Sequence, residues 1–141
     1  MSHSRKSFAY VVRRDIGEPK LLVLESHDEP GLEVPKGGLE WGESFAEAAL
    51  RELREESGIT GARVLRELGL AWYGREEQRF LLVEAPDGLP ETFDHTVTGQ
   101  GVDQGFVYAF RWVPIDSELK RQLVQGCGAC VDALMDAAGA S

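Results

Sequence analysis

Residues Gly37 to Ile59 read G-G-L-E-W-G-E-S-F-A-E-A-A-L-R-E-L-R-E-E-S-G-I and are the most informative segment of this 141-residue chain. Ser44 can cap a helix, and Glu47 three residues later completes a capping box. Gly58 can supply the left-handed residue that ends the helix. Alanine, leucine, arginine and glutamate dominate the segment between these signals, without proline or glycine. The segment therefore predicts a helix.

Three glutamates of this helix, Glu52, Glu55 and Glu56, fall together at the edge of its apolar stripe at about 100° per residue. Their carboxylates repel one another, and a hard divalent cation is the simplest group to hold them. A solvated acidic helix face is the alternative for an isolated E-x-x-E-E pattern. The stripe itself consists of Ala46, Ala49, Leu50 and Leu53, and Glu47 with Arg51 has the order of an i,i+4 ion pair.

The segment resembles the Nudix box of the Nudix hydrolases at every fixed position. The resemblance implies an α/β fold, namely a Nudix-type α/β/α sandwich with a mixed β-sheet between the box helix and a C-terminal helix. It also implies a metal-dependent hydrolase that cleaves a pyrophosphate bond in a nucleoside diphosphate linked to another moiety, by attack of water at phosphorus. The matching positions are Gly37, Glu43, Arg51, Glu52, Leu53, Glu55, Glu56, Gly58 and Ile59.

The resemblance assigns roles to individual residues. Glu55 and Glu56 would bind Mg²⁺ or Mn²⁺, and Glu52 would be a further metal ligand or the general base. Arg51 would orient a box glutamate without touching substrate. The backbone carbonyl of Lys36 would complete the metal shell. Gly37, Glu43 and Gly58 would be structural positions of the box, with Glu43 close to the metal cluster.

A complete site also needs an acidic residue from outside the box, and Asp103 is the first choice. It lies in a glycine-rich loop that leads into the last predicted strand, although a solvated loop aspartate is the plain alternative. The Lys36 amine can contact a phosphate. Arg75 is a further candidate for substrate binding, although exposed arginines are common. The other acidic candidates are Glu84, Glu91 and Asp94.

Composition limits the classes of partner. Hydrophobic residues make up 43% and charged residues 28% of the chain, which is typical of one soluble globular domain over residues 1–141. The net charge of −9 argues against binding a nucleic-acid backbone. No segment has the length of a membrane span or the pattern of a signal peptide. We therefore expect a cytoplasmic protein. The family resemblance implies a small nucleotide substrate and a possible homodimer.

Periodicity predicts six strands, a box helix and C-terminal helical segments. One strand is expected to bend at Gly69, and residues 93–105 are predicted to form a flexible loop. Cys127 and Cys130 are interpreted as small apolar residues of the last helix, with a redox pair or half a zinc site as alternatives. The predicted strands cover residues 7–14, 20–25, 32–34, 62–73, 78–84 and 106–113, and the last helix covers residues 129–138.

Three functions remain open from the sequence. The first is hydrolysis, with diadenosine polyphosphates, nucleoside triphosphates, oxidised nucleotides or ADP-ribose as substrates. The second is a Nudix-like sensor that binds a nucleotide without hydrolysis, although such domains usually lose box glutamates. The third is an isomerase on the same fold, which would need a catalytic cysteine near the sheet.

Overall fold

The computed structural model of the protein describes residues 3–139. Within this range, eight strands form one sheet and helices lie on both of its faces. No helix in this range is long and apolar enough to cross a membrane. The elements are β1 (Ser4–Arg13), β2 (Lys20–Glu25), β3 (Leu32–Glu33), β4 (Lys36–Gly38), α1 (Phe45–Ser57), β5 (Arg63–Tyr73), β6 (Glu76–Glu84), β7 (Thr92–Thr96), β8 (Val107–Pro114), α2 (Leu119–Gln122), a 3₁₀ turn (Gln125–Cys127) and α3 (Val131–Ala137).

The sheet is mixed, as the sequence predicts. Its strand order is β5-β6-β1-β2-β8-β7, with β3 paired to β2 and β4 paired to β1. β1 and β6 run parallel, and the other pairs are antiparallel. β1 changes partner along its length, because Ser7 pairs with Gly37 of β4 whereas Val12 pairs with Leu21 of β2. The β4 segment that opens the box is thereby fixed against the middle of the sheet.

Alternating side chains divide the core between the two faces of the sheet. Phe8 and Tyr10 of β1 pack on the face that the C-terminal segments cover, with Leu119, Val131 and Leu134. The alternate residues of β1, Ala9 and Val11, point to the opposite face, which α1 covers. There they are buried together with Ala49 and Leu53 of α1. The expected α/β/α sandwich, with the box helix on one side and the C-terminal helix on the other, is confirmed.

The box helix has the boundaries and caps that the sequence predicts. The Ser44 side chain accepts a hydrogen bond from the Glu47 backbone N–H, and the Glu47 carboxylate accepts one from the Ser44 N–H. Gly58 ends the helix in the left-handed conformation, with φ of 78°. The predicted Glu47–Arg51 ion pair is wrong, because Glu47 completes the capping box and Arg51 binds Glu43 instead.

Two short strands escape the sequence analysis. β4 contains two glycines and depends on its pairing with β1. β7 lies within the segment predicted as a flexible loop, and its residues alternate between exposed and half-buried positions. Only Phe93 is apolar in β7, so the alternation leaves no apolar period to detect. Phe93 stacks on Phe110 of the neighbouring strand, with ring centroids 5.2 Å apart.

The prediction that both cysteines lie on the last helix is wrong. Cys127 lies in the 3₁₀ turn, and Cys130 belongs to a separate turn of residues 129 and 130 that immediately precedes α3. Both are free thiols in packing positions. The Tyr10 hydroxyl donates a hydrogen bond to the Cys127 carbonyl at 2.6 Å. A Cβ at Gly69 would lie 2.7 Å from the Cys130 sulfur, and the pairing register shifts between Glu67 and Gly69, where the bend was expected.

The end of the box helix provides a stability test. Gly58→Ala should destabilise the protein by about 3 kcal/mol, because φ is strained for alanine and the new Cβ would lie 2.8 Å from His95 Nδ1. Gly42→Ala is the matched control, since its φ is 79° with open space around it. It should cost about 1 kcal/mol. Urea unfolding measures both variants, and equal losses would contradict a packing role for Gly58.

Candidate active site

Arg51 is the hub of the box carboxylates. Its Nε donates to Glu43 Oε2 at 2.8 Å, and its Nη1 donates to Glu52 Oε1 at 2.7 Å and to Glu55 Oε1 at 3.2 Å. Its Nη2 donates to the Gly38 carbonyl at 2.8 Å. One guanidinium therefore ties three glutamates of the box to the end of β4. These hydrogen bonds hold the pKa of Glu43 below its usual value.

Glu56 is the most deeply buried carboxylate of the group, with 6% of its surface exposed. Burial raises its pKa well above the usual value, and repulsion from Glu52 and Asp103 acts in the same direction. The charge and a backbone hydrogen bond of Lys36 oppose this shift only in part. Burial therefore disfavours the ionised form of the Glu56 carboxylate.

Glu52 lies against the backbone of β4. A Cβ built on Gly37 would fall 2.1 Å from the Glu52 carboxyl carbon, so no other residue fits there while Glu52 keeps its position. Burial raises the pKa of Glu52, and the hydrogen bond from Arg51 opposes this rise. The first glycine of the box is thus the residue that lets the carboxylate approach the strand.

Lys36 connects the box to an open cleft of about 630 Å³ on the opposite side of β4. Its Nζ donates to Glu33 Oε1 at 2.7 Å, and Ser26 donates to the other oxygen of the same carboxylate. Burial by itself would lower the pKa of Lys36, but Cys127, Glu33 and Glu56 together raise it. The amine is therefore charged, and it lies between the cleft and the box carboxylates.

Asp103 reaches the box from the loop between β7 and β8. The Thr98 N–H donates to the Glu55 carbonyl at 3.0 Å and so anchors this loop on α1. Asp103 is close enough to Glu52 and Glu56 to raise the pKa of both. The structure therefore places the loop that carries Asp103 against α1 beside Glu55.

The remaining candidates lie elsewhere. Glu84 pairs with Arg63 between the outer strands β5 and β6, and Glu91 borders a small pocket with Lys20. Asp94 is exposed on β7, and Arg75 lies in the exposed turn between β5 and β6. The role of Arg75 in substrate binding, like those of Asp103 and Lys36, stays a prediction.

The donor set fits a hard divalent cation by its chemistry. Glu52, Glu55, Glu56 and Asp103 supply carboxylate oxygens, which are the ligands that Mg²⁺ and Mn²⁺ prefer. In residues 3–139 no three acidic, histidine or cysteine side chains are arranged as a preformed metal site. Arg51 donates hydrogen bonds to oxygens of Glu52 and Glu55.

Two residues beside the site escape the sequence analysis. Glu33 holds the Lys36 amine, and the Tyr108 hydroxyl donates to Asp103 Oδ2 at 3.2 Å. The Tyr108 contact joins a strand to a loop that the folded sheet brings together, whereas Glu33 lies only three residues before Lys36, and this spacing could have suggested the ion pair.

The raised pKa of Glu56 predicts how stability depends on pH. With EDTA present, the folded protein keeps a proton on Glu56 that the unfolded chain has already released. Stability should therefore fall as the pH rises above the ordinary glutamate pKa of about 4.3 toward the raised value. Glu52 acts in the same direction, whereas Glu43 has a lowered pKa and acts at lower pH.

The measurement is the melting temperature against pH for wild type and Glu56→Gln, both in EDTA. The slope should be shallower for the variant, because it has no proton to lose at residue 56. The two proteins differ only at residue 56, so the difference between their slopes reports that position. Identical slopes would contradict the raised pKa.

Comparison with known proteins supplies the family. A family model described as NUDIX domain matches residues 3–130. Nudix hydrolase 21 (chloroplastic) of Arabidopsis thaliana is 48% identical over 46 residues, or 32% of this chain and 23% of the relative. Nudix hydrolase 18 (mitochondrial) of the same plant is 48% identical over 52 residues, or 37% of this chain and 29% of the relative. The matched segment thus spans only a quarter or so of each curated relative.

Solved structures share the whole fold at low identity. An Ap4A hydrolase of C. elegans is 18% identical with a TM-score of 0.66, covering 96% of this chain and 98% of that chain. An ADP-ribose pyrophosphatase of Streptococcus suis is 15% identical with a TM-score of 0.68, covering 96% and 92%. At these identities the likeness establishes the fold, and the match over residues 3–130 establishes the family. The chain therefore belongs to the NUDIX domain family.

Proposed function

We propose that this protein is a metal-dependent hydrolase that cleaves a pyrophosphate bond in a nucleoside diphosphate linked to another moiety. The observation that carries the proposal is the group of box carboxylates that Arg51 holds together, with the loop that carries Asp103 passing over Glu55. A complete set of box carboxylates with an added acidic side chain suits hydrolysis better than binding alone. A sensor would not need to hold several carboxylates against their mutual repulsion.

Glu55 and Glu56 would hold Mg²⁺, or Mn²⁺, with Glu52 and the Lys36 carbonyl as further ligands. Bound there, the cation supplies charge neutralisation for the phosphate oxygens and the leaving group. A bound cation would stabilise the ionised form of the buried Glu56 carboxylate, which the charge of Lys36 stabilises only in part.

The residues of the chain would then orient water and accept its proton. In the reaction a water oxygen bonds to phosphorus, the bridging P–O bond breaks, and the proton of the water passes to a carboxylate. Glu52 and Asp103 are the two candidates for this base. Arg51 positions Glu52 and Glu55 through its hydrogen bonds and need not touch substrate.

The cleft beside Lys36 is the proposed location of the rest of the substrate. It is bordered by the Trp72 and Tyr73 side chains at the end of β5 and by the 3₁₀ turn. Diadenosine polyphosphates and nucleoside triphosphates are the proposed substrates, and an Ap4A hydrolase is among the proteins with this fold. ADP-ribose belongs in the same panel, since an ADP-ribose pyrophosphatase shares the fold as well.

The experiment incubates the protein with this panel in Mg²⁺, in Mn²⁺ or in EDTA, and identifies products by chromatography. Cleavage in ¹⁸O-labelled water should place one labelled oxygen on a phosphate product, and EDTA should abolish turnover. Binding of a nucleotide by calorimetry without any cleavage would instead identify a sensor. A cytoplasmic location and a homodimer stay predictions.

A further inference from the structure

The Tyr108 hydroxyl faces the acidic site from β8. Tyr108 is 9% exposed, and its hydroxyl donates to Asp103 Oδ2 at 3.2 Å. Burial raises the pKa of Tyr108, and the charges of Asp103 and Glu56 add to the rise. The hydroxyl is thus placed to donate a hydrogen bond to the Asp103 carboxylate.

Aromatic contacts fix the Tyr108 ring. The His27 ring meets it edge-on with centroids 5.0 Å apart and stacks on Phe106 at 5.3 Å. Phe110 packs edge-on against Tyr108 from the same strand at 6.3 Å. His27 belongs to the segment between β2 and β3, and Phe106 to the loop before β8. These two segments and β8 itself therefore surround the Tyr108 ring. A ring held on several sides presents its hydroxyl in one direction.

The loop that carries Asp103 is tied at its base. The Val97 N–H donates to the Phe106 carbonyl at 2.8 Å, and the Phe106 N–H donates to the Asp103 carbonyl at 2.9 Å. At the tip, a Cβ at Gly99 would lie 2.6 Å from the Glu55 carboxyl carbon, so the loop backbone passes directly over that carboxylate. The Tyr108 hydroxyl is the contact that fixes the side chain of Asp103 within this frame.

We propose that Tyr108 is a positioning residue, whose hydroxyl orders the loop of residues 97–106 over Glu55 and fixes the orientation of the Asp103 carboxylate within that loop. The catalytic consequence rests on the proposed hydrolase function, whereas the ordering of the loop does not. A purely structural tyrosine would contribute through its ring alone. If Tyr108 is a positioning residue, removing its hydroxyl oxygen alone should lower activity. That loss should appear only in a protein that still has the Asp103 carboxylate.

The test is a double-mutant cycle with Tyr108→Phe and Asp103→Asn. Loss of a hydrogen bond to a charged group should lower kcat of Tyr108→Phe by about 10- to 100-fold, with KM changed by less than about threefold. In the Asp103→Asn background the same substitution should change kcat by less than about twofold. An equal loss in both backgrounds would overturn the proposal.

Amide hydrogen exchange gives a readout that does not depend on turnover. In Tyr108→Phe the Phe106 amide should exchange about tenfold faster, because local opening of the loop becomes easier. Tyr10→Phe is the matched control, since it removes another buried hydroxyl, which bonds Cys127 on the opposite face of the sheet. The control should leave kcat and the exchange of the Phe106 amide unchanged.

The two proposals fail in different ways. If wild type cleaves nothing in the substrate panel, the hydrolase proposal fails, and exchange at Phe106 still decides whether Tyr108 orders the loop. If wild type is active and exchange at Phe106 is the same in Tyr108→Phe as in wild type, the positioning role is overturned while the hydrolase proposal stands.

Discussion

Glu56→Gln should lower kcat/KM by about 1,000-fold, the largest loss expected from a single substitution in this protein. Replacing a metal-binding carboxylate by an amide removes about 4 kcal/mol of transition-state stabilisation. The folded state should not suffer, because burial already disfavours the ionised carboxylate. In EDTA the variant should be at least as stable as wild type, so activity and stability should move in different directions.

Steady-state kinetics, calorimetric titration with Mn²⁺ and thermal melting measure the three effects. Glu47→Gln is the matched control, since the change is identical, the residue lies on the same helix, and glutamine serves equally well in a capping box. It should retain wild-type kinetics. Wild-type turnover by Glu56→Gln would remove Glu56 from the metal site.

Arg51→Ala should destabilise the metal-free protein by about 3 kcal/mol. The Arg51 side chain is 12% exposed and binds Glu43 and Glu52, which are 13% and 15% exposed. Removing one partner from a mostly buried ion-pair network leaves the other charges without compensation. Activity should fall as well, because Glu52 and Glu55 lose the group that orients them.

Mg²⁺ should restore part of the stability of Arg51→Ala, since a cation can compensate the carboxylates that the guanidinium leaves. Urea unfolding with and without Mg²⁺ measures this recovery. Arg54→Ala, an exposed position on the same helix, is the control and should change stability by less than about 0.5 kcal/mol. Equal losses for the two variants would show that the network contributes little to folding.

The box helix could be predicted from sequence because its signals are local. Ser44, Glu47 and Gly58 are separated by fixed distances along one helix, and the structure has all three in the predicted conformations. The wheel that clusters Glu52, Glu55 and Glu56 also depends only on helix geometry. Signals of this kind depend on spacing within one helix and do not depend on the tertiary structure.

The parts that escaped prediction depend on tertiary pairing. β4 exists because β1 pairs with Gly37, and β7 exists because β8 offers it a partner. The resemblance implies that Arg51 orients a box glutamate, but its pairing with Glu43 was not predicted, because Glu43 lies before the helix and outside the i,i+4 pattern. The contact of Tyr108 with Asp103 joins a strand to a loop whose path no periodicity describes.

The parallel pairing of β1 with β6 has a consequence for the order of folding. The whole box segment separates these strands in the sequence, so the ribosome has released β1 and α1 long before β6 emerges. Long-range pairing of this kind is slow to form, because a large loop must close first. Until β6 pairs with it, β1 is hydrogen-bonded along one edge. At that stage α1 also lacks the sheet strands that follow it in the sequence. The nascent chain therefore completes its candidate catalytic centre late in synthesis, when the strands of the second half pair with those of the first.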